Sequence, residues 1–167
     1  DNFLFSRTIG ENIAFPIWED GVGELELRVK ELGMVSRFDK DLDQFARGYE
    51  EEIGERGVTL SGGQRQRVAI SRAIAAQPSL LILDDALSAV DSRTEKEILA
   101  NLGRETEQLT VLIVAHRISS LQHADHIYVL DDGRIVEDGS HDTLTRRNGL
   151  SAALNRQQLL ADELEGM

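Results

Sequence analysis

The chain has 167 residues, of which 41% are hydrophobic, and this is enough for one domain with a buried core. Thirty acidic residues against eighteen basic ones give a net charge of -12, which argues against binding to nucleic acid or to an anionic membrane surface. There is no cysteine, so disulfide scaffolds and thiolate-bound metals are excluded.

The first part of the chain predicts helices. Ser6 or Thr8 is a suitable cap for a short helix that runs through Ile13. Between residues 25 and 32, apolar residues recur at i, i+4 and i+7, which predicts an amphipathic helix that stops at Gly33. A further short helix over residues 36–45 and a polar loop over residues 48–57 are predicted to follow.

A longer helix is predicted from Ser61 to about Ala76. Ser61 is a good N-cap, and Gly62 and Gly63 carry no side chain in the first turn, so a ligand can approach the backbone N–H groups closely. Those unpaired donors and the positive end of the helix dipole suit a phosphate. Ser61 and Gln64 are expected to add side-chain donors on the same rim. Taken alone, the pattern is equally typical of an ordinary helix N-terminus.

Two continuous apolar runs predict strands of a parallel sheet that is buried on both faces. The first run covers residues 80–83 and ends in two aspartates, and the second covers residues 111–115 and ends in a histidine. A helix over residues 93–102 is the predicted crossover. Because α/β folds bind ligands at the carboxyl ends of parallel strands, these polar residues mark a candidate site. Both runs are far too short to span a bilayer, so no direct insertion into lipid is expected.

The last part of the chain predicts a hairpin and two helices. The turn sequence Asp131-Asp132-Gly133 lies between two short apolar segments, which is a hairpin signal. Ser140 is a candidate cap for a short helix, and apolar residues at helical spacing between Leu150 and Leu164 predict a surface helix. None of the four histidines has metal-ligand spacing with carboxylates, so a dedicated protein metal site is not expected.

Five motifs in this chain follow one another in the order and spacing of the ATP-binding-cassette (ABC) ATPases, and the resemblance covers essentially the whole chain. Residues 60–64, Leu-Ser-Gly-Gly-Gln, resemble the signature motif. Asp84, after four aliphatic residues, resembles the Walker B aspartate, and residues 88–91, Ser-Ala-Val-Asp, resemble the D-loop. His116 resembles the switch histidine, and residues 52–57 resemble a loop typical of ABC exporters.

The resemblance implies a role for each candidate residue. Asp84 would hold the Mg²⁺ of Mg-ATP through water, Asp85 would orient or deprotonate the attacking water, and His116 would bond the γ-phosphate. The remaining nucleotide-binding candidates are Ser61, Gly62, Gly63 and Gln64, which would serve the ATP of a partner subunit, and Asp91 of the D-loop.

Position 85 departs from the family pattern, which normally has a glutamate there. The carboxylate of Asp85 stops roughly 1–1.5 Å short of where glutamate would put it, and water positioning is sensitive to such displacements. The chain therefore resembles one half of a heterodimeric bacterial multidrug-type exporter, in which one site is slow.

The resemblance implies an α/β fold in three parts. These are an ABC-ATPase helical subdomain with the exporter loop and signature motif over residues 1–77, a partial RecA-like parallel-sheet core over residues 78–139, and C-terminal helices over residues 140–167. The chain contains no Gly-x-x-x-x-Gly-Lys-Ser/Thr, the loop that wraps the β-phosphate. It is therefore expected to be the C-terminal portion of a nucleotide-binding domain, truncated before the Q-loop and inactive by itself.

The implied function is part of the ATP-binding and ATP-hydrolysing motor of an ABC exporter, with ATP and Mg²⁺ as cofactors. The expected partners are a second nucleotide-binding domain and the membrane domains, contacted near residues 52–57 at the cytoplasmic face of the cell membrane. One alternative is a soluble ABC ATPase of DNA repair or translation, which should lack the exporter loop. The other is a nucleotide-dependent dimerisation module with little or no turnover, which Asp85 and the missing Walker A motif favour.

Overall fold

The computed structural model describes residues 3–17, 22–54, 58–105, 109–115, 117–147 and 149–165. The chain forms two compact units, Asp1–Val114 and Ala115–Met167. The finer division at residues 77 and 139 stays a prediction. Among the helices in these ranges, none combines the length and the apolar character that a membrane crossing requires.

Three helices open the first unit: α1 (Ile9–Ala14), α2 (Val22–Val35) and α3 (Gly62–Ala75). Short 3-10 helices occupy Phe15–Ile17, Phe38–Gln44 and Gly48–Glu50. Both α1 and α2 pack on α3, and their shared core includes Ile9, Ile13, Leu32, Phe38 and Val68. Thr8 caps α1 as predicted, because its hydroxyl accepts from the N–H of Glu11 and the Glu11 carboxylate accepts from the N–H of Thr8.

The prediction that α2 stops at Gly33 is wrong, since the helix continues to Val35. Gly33 is instead a point of close approach. A Cβ at this position would lie 1.9 Å from the Tyr49 hydroxyl oxygen, so only glycine leaves room for the ring. The chain turns out of the helix at Arg37, whose φ of 60° is left-handed.

The parallel sheet has two strands in the described part of the chain, β1 (Leu80–Asp84) and β2 (Thr110–Val114). The crossover helix α4 (Ser92–Glu105) joins them and buries Ile98 and Leu102. The predicted burial on both faces is wrong. Leu81 and Leu83 are buried, but the other face of the sheet is open, with Ile82 56% and Leu112 51% exposed, because no described element of the first unit covers it.

The second unit contains a 3-10 helix (Ile118–Leu121), the hairpin strands β3 (Ile127–Asp131) and β4 (Arg134–Gly139), and helices α5 (His141–Arg146) and α6 (Leu150–Glu165). The hairpin is confirmed as antiparallel, and its two turn residues, Asp132 and Gly133, both have positive φ, as tight two-residue hairpins require. The Ser140 hydroxyl accepts from the N–H of Thr143, which confirms the predicted cap of α5.

Candidate functional site

The N-terminus of α3 is closed by a capping box. The Ser61 hydroxyl accepts from the N–H of Gln64 at 3.2 Å, and the Gln64 Oε1 accepts from the N–H of Ser61 at 2.9 Å. Gly62 and Gly63 follow as the first two helical residues, and N–H groups at these positions have no acceptor inside a helix. The helix therefore begins in a fixed geometry, with backbone donors and the positive end of its dipole at Gly62.

The expectation that Gln64 offers a side-chain donor on this rim is not what the structure shows. Gln64 is buried, and its Nε2 donates to the Gln44 Oε1 at 3.0 Å and lies 3.4 Å from the Asp41 carboxylate. The same carboxylate forms a buried ion pair with Arg67. A buried polar group needs a partner, so Gln64 is used to fix the helix start, and of the two predicted side-chain donors only Ser61 is exposed.

Gly63 is buried against the segment that resembles the D-loop. A Cβ at Gly63 would lie 2.7 Å from the Ala89 carbonyl oxygen, which is closer than real Cβ contacts come. A Cβ at Gly62 would lie 3.2 Å from the Cβ of Ala89. The two glycines therefore let the start of α3 pack directly on Ala89.

Asp84 and Asp85 lie at the carboxyl end of the parallel sheet, as predicted. Asp84 is the last residue of β1 and pairs in register with Val114 of β2, and the Asp85 N–H donates to the Val114 carbonyl at 3.2 Å. Asp85 has a φ of 49°, a left-handed conformation in which the chain leaves the strand abruptly. Both residues are exposed, so their carboxylates are accessible to a ligand.

Exposed carboxylate oxygens at a strand end fit the way proteins hold Mg²⁺. This ion keeps several waters and usually takes one or two carboxylates together with substrate phosphates. Among the described residues no group of three or more histidine, aspartate or glutamate side chains forms a metal cage.

Sequence reasoning missed Gln66, which is 5% exposed and ties α3 to the turn after β1. Its Nε2 lies 3.1 Å from the Ser88 hydroxyl and 3.3 Å from the Asp85 carbonyl, and its Oε1 accepts from the N–H of Ala89 at 2.9 Å. The signal was available in the spacing, because Gln66 lies three residues after Gly63 and so shares the buried face of the helix.

Asp91 and His116 complete the predicted set. Asp91 is exposed, and its carboxylate accepts from the N–H of Thr94 at 3.0 Å at the start of α4. This hydrogen bond holds the pKa of Asp91 below its usual range. The predicted switch residue His116 lies outside the described residues, and its role stays a prediction. The structure thus brings together residues 61–67 and residues 84–91, in the first unit.

The predicted exporter loop is described in part, and Glu55, Arg56 and Gly57 lie outside the described residues. The first half of the loop is tied down. Ile53 is buried and donates from its N–H to the Arg7 carbonyl at 3.0 Å. Gly54 has a φ of 115°, and a Cβ there would lie 2.8 Å from the Ser6 hydroxyl oxygen. Glycine is thus required at this position by the backbone as well as by the space.

Comparison with known proteins gives a consistent result. A family model described as "ABC transporter" matches residues 1–88, just over half of the 167 residues. The chain is 43% identical over 167 residues to the probable multidrug resistance ABC transporter ATP-binding/permease protein YheI of Bacillus subtilis (strain 168), covering 99% of this chain and 28% of that protein. It is 44% identical over 163 residues to the multidrug resistance-like ATP-binding protein MdlA of Escherichia coli (strain K12), covering 98% of this chain and 27% of that protein.

The solved structures agree. The structure of a bacterial Atm1-family ABC exporter with ATP bound is similar with a TM-score of 0.81 and 40% identity, over 93% of this chain and 27% of that chain. The chain therefore spans little more than a quarter of the length of these relatives. The motifs, the fold and these matches place the chain in one family: it belongs to the ABC transporters.

Proposed function

We propose that this chain is part of the ATP-binding and ATP-hydrolysing motor of an ABC exporter, which couples ATP turnover to transport of a substrate across a membrane. One observation carries the proposal. The capped, glycine-edged start of α3 packs directly on the turn that follows β1 and carries Asp85. The helix start that would face a phosphate and the two accessible carboxylates belong to the same compact unit, which supports the proposal.

The residues divide between two nucleotides. When Mg-ATP is bound, Mg²⁺ neutralises charge on the transferring phosphoryl group. Asp84 would hold the hydrated Mg²⁺, and Asp85 would orient the attacking water or accept its proton. The backbone N–H groups at Gly62 and Gly63, with the Ser61 hydroxyl, would face the phosphates of an ATP that is held by a partner nucleotide-binding domain.

The aspartate at position 85 favours a division of labour between two unlike subunits. Its carboxylate ends roughly 1–1.5 Å short of a glutamate's, and an error of that size can cost about 10²-fold in rate. The site that contains Asp85 would therefore be slow. The faster site would combine the partner's catalytic residues with the start of α3 from this chain, in a heterodimer.

If the chain is part of an exporter, a contact with the membrane domains and a location for the motor follow. The loop from Glu52 to Gly57 would contact the membrane domains, and the anchored position of Ile53 supports this, since a coupling loop has to transmit movement to the helices behind it. The motor would then lie at the cytoplasmic face of the membrane. The names of the relatives, which include multidrug resistance transporters, support export over the soluble ABC ATPase alternative.

The 167-residue chain by itself would not bind Mg-ATP measurably, because it has no Walker A sequence to wrap the β-phosphate. Calorimetric titration tests this, and a micromolar dissociation constant would contradict it. Binding of ATP without turnover by the complete transporter would favour the alternative, a nucleotide-dependent dimerisation module.

The proposed function is tested on the complete transporter with its partner in sealed vesicles. We expect hydrolysis of Mg-ATP and ATP-dependent movement of a transported compound. The Ser61→Ala/Gly62→Val variant of this chain should lose most of the hydrolysis, since it removes the cap and crowds the start of α3 against Ala89. Hydrolysis that is unchanged in this variant, or absent from the unmodified transporter, would contradict the proposal.

A further inference from the structure

We infer that Gln66 is a positioning residue that sets the geometry of both half-sites of this chain at once. Its side chain starts on α3, whose N-terminus would serve the partner's ATP, and ends on the turn that carries Asp85, which would serve the chain's own ATP. The inference rests on the proposed function for its consequence in turnover, but the link itself can be tested without turnover.

The orientation of the Gln66 amide is determined by its partners. The Ala89 N–H can only donate, so the atom that faces it at 2.9 Å is the amide oxygen. The Asp85 carbonyl can only accept, so the atom that faces it at 3.3 Å is the amide nitrogen. The Ser88 hydroxyl accepts from the same nitrogen and donates to the Asp85 carbonyl at 3.0 Å. Reversing the amide would break two contacts, so it holds one arrangement.

Ala89 contacts α3 through both its N–H and its carbonyl group. Gln66 holds the N–H of Ala89, and the carbonyl oxygen of Ala89 is the atom that lies against Gly63. Without the amide, the turn after β1 would keep its internal hydrogen bond from Ser88 to Asp85 but would lose its tie to the helix. The Ala89 carbonyl that lies against Gly63 and the left-handed backbone of Asp85 would then both become free to move.

A shape-matched substitution separates hydrogen bonding from packing. Gln66→Met keeps an unbranched side chain of similar size and removes all three hydrogen bonds. Ser71→Ala is the control, because Ser71 is a buried polar residue of the same helix that bonds to the Leu32 carbonyl and the Ser36 hydroxyl, away from the turn. Both variants weaken the packing of α3, but only the first releases Asp85 and Ala89.

The first measurement is hydrogen exchange of the complete transporter, without nucleotide. Peptides that cover residues 85–90 should exchange about tenfold faster in Gln66→Met, as expected for the loss of one hydrogen bond to a backbone N–H. Ser71→Ala should leave them unchanged. Equal exchange in Gln66→Met and the unmodified protein would overturn the inference, whatever the transporter does with ATP.

The second measurement is steady-state hydrolysis of Mg-ATP by the same preparations. Gln66→Met should lower kcat roughly tenfold and leave KM within about twofold, because misplaced groups weaken the transition state more than the bound substrate. Ser71→Ala should change neither by more than about twofold. The loss should persist when Asp85→Asn is already present, since the amide also supports the start of α3. A kcat that is unchanged in Gln66→Met, or a loss that disappears in the Asp85→Asn background, would overturn the two-sided role.

Discussion

Besides Gly54, three glycines of this chain lie in close contact with another segment. A Cβ would meet the Tyr49 hydroxyl oxygen at 1.9 Å from Gly33, the Ala89 carbonyl at 2.7 Å from Gly63, and the Glu137 carboxylate at 1.8 Å from Gly149. Each glycine therefore joins two separate segments of its unit. In all three cases the missing side chain makes space for a contact, so that substitution by alanine disturbs tertiary structure and not only the local backbone.

We predict that Gly33→Ala destabilises the protein by about 1–3 kcal/mol, the usual cost of overpacking, because Tyr49 has to leave its site. Burial raises the pKa of Tyr49 to about 12, so the displaced phenol should titrate closer to its ordinary value of 10.0. Chemical denaturation measures the first effect and the ultraviolet titration of tyrosinate measures the second.

Gly103→Ala is the matched control. Gly103 lies in α4 with nothing within 4 Å of the added carbon, so alanine should stabilise the helix by about 0.5–1 kcal/mol. If Gly33→Ala were as harmless as Gly103→Ala, the close approach of Tyr49 to α2 would be wrong.

At this scale the sequence predicts local roles better than tertiary ones. Ser61, Thr8 and Ser140 are caps in the structure because capping is decided by residues within three positions of each other. The tertiary hydrogen bonds of Gln64 and Gln66 could not be predicted in the same way. The partners of the Gln64 amide nitrogen and of the Gln66 amide lie some twenty residues away in sequence, and the fold brings them together. No local pattern shows which side of a helix such a partner approaches.

Helix α6 shows how one element depends on another in the second unit. Glu137 of β4 accepts a hydrogen bond from the N–H of Leu150 at 2.5 Å and one from the N–H of Ser151 at 3.2 Å, so a carboxylate from a strand caps the helix. The Ser151 hydroxyl donates to it as well. An anion at a helix N-terminus opposes the free N–H groups and stabilises the helix by about 0.3–1 kcal/mol at an exposed position.

We predict that this cap makes the stability of α6 depend on pH. The Ser151 hydroxyl and the two N–H groups hold the pKa of Glu137 below its ordinary value of 4.5. Because the folded pKa is lower than the unfolded one, the contribution is fully present above the unfolded pKa and is lost as the pH falls through the folded pKa. Helical circular dichroism between neutral and acid pH measures this loss.

Glu137→Gln should reduce the helical signal at neutral pH and flatten its acid titration, because the amide keeps the shape but carries no charge. Titration curves that run parallel in the variant and the original protein would show that Glu137 does not cap α6 through its charge.

For the strands, the sequence predicts position and pairing but not burial. Their positions in the sequence and their parallel pairing were predicted, since continuous aliphatic runs are typical of such strands. Their burial was not. A run such as Leu80 to Leu83 has an apolar residue on both faces, but the pattern does not say what packs on each face, and here one face has no cover among the described elements of the first unit.

For the whole molecule, this open face has a consequence in solution. Leu80, Ile82, Leu112 and Val114 are each about half exposed and lie side by side on the two paired strands. A contiguous apolar surface of this kind promotes association. We predict that the 167-residue chain self-associates at micromolar concentration, as sedimentation velocity would show.

Ile82→Lys should shift this association towards monomer, because a charge would have to be buried in the interface. Leu27→Lys is the control, since Leu27 is 62% exposed on α2 in the same unit and away from the sheet. A monodisperse monomer of the unmodified chain, or an equal effect of both variants, would count against the sheet face as the surface involved.

The central claim is that the start of α3 and the carboxylate of Asp85 serve two different nucleotides, and that Asp85 belongs to the slower site. Asp85→Asn should then reduce the steady-state ATPase of the complete transporter only modestly, because little turnover remains to be lost there. Gly63→Asp should lower it on the order of 10²–10³, since it adds a negative charge next to the backbone N–H groups that would face the partner's γ-phosphate.

The packing of Gly63 on Ala89 makes one control necessary. Gly63→Ala introduces the same collision of Cβ with the Ala89 carbonyl, so the difference between the two Gly63 variants measures what the carboxylate group adds to that collision. The decisive measurement is therefore ATP turnover of Asp85→Asn, Gly63→Asp and Gly63→Ala in one membrane preparation with the partner present. We predict the largest loss in Gly63→Asp, a smaller one in Gly63→Ala and the smallest in Asp85→Asn. A loss in Asp85→Asn that equals or exceeds that of Gly63→Asp would mean that this chain carries the working site.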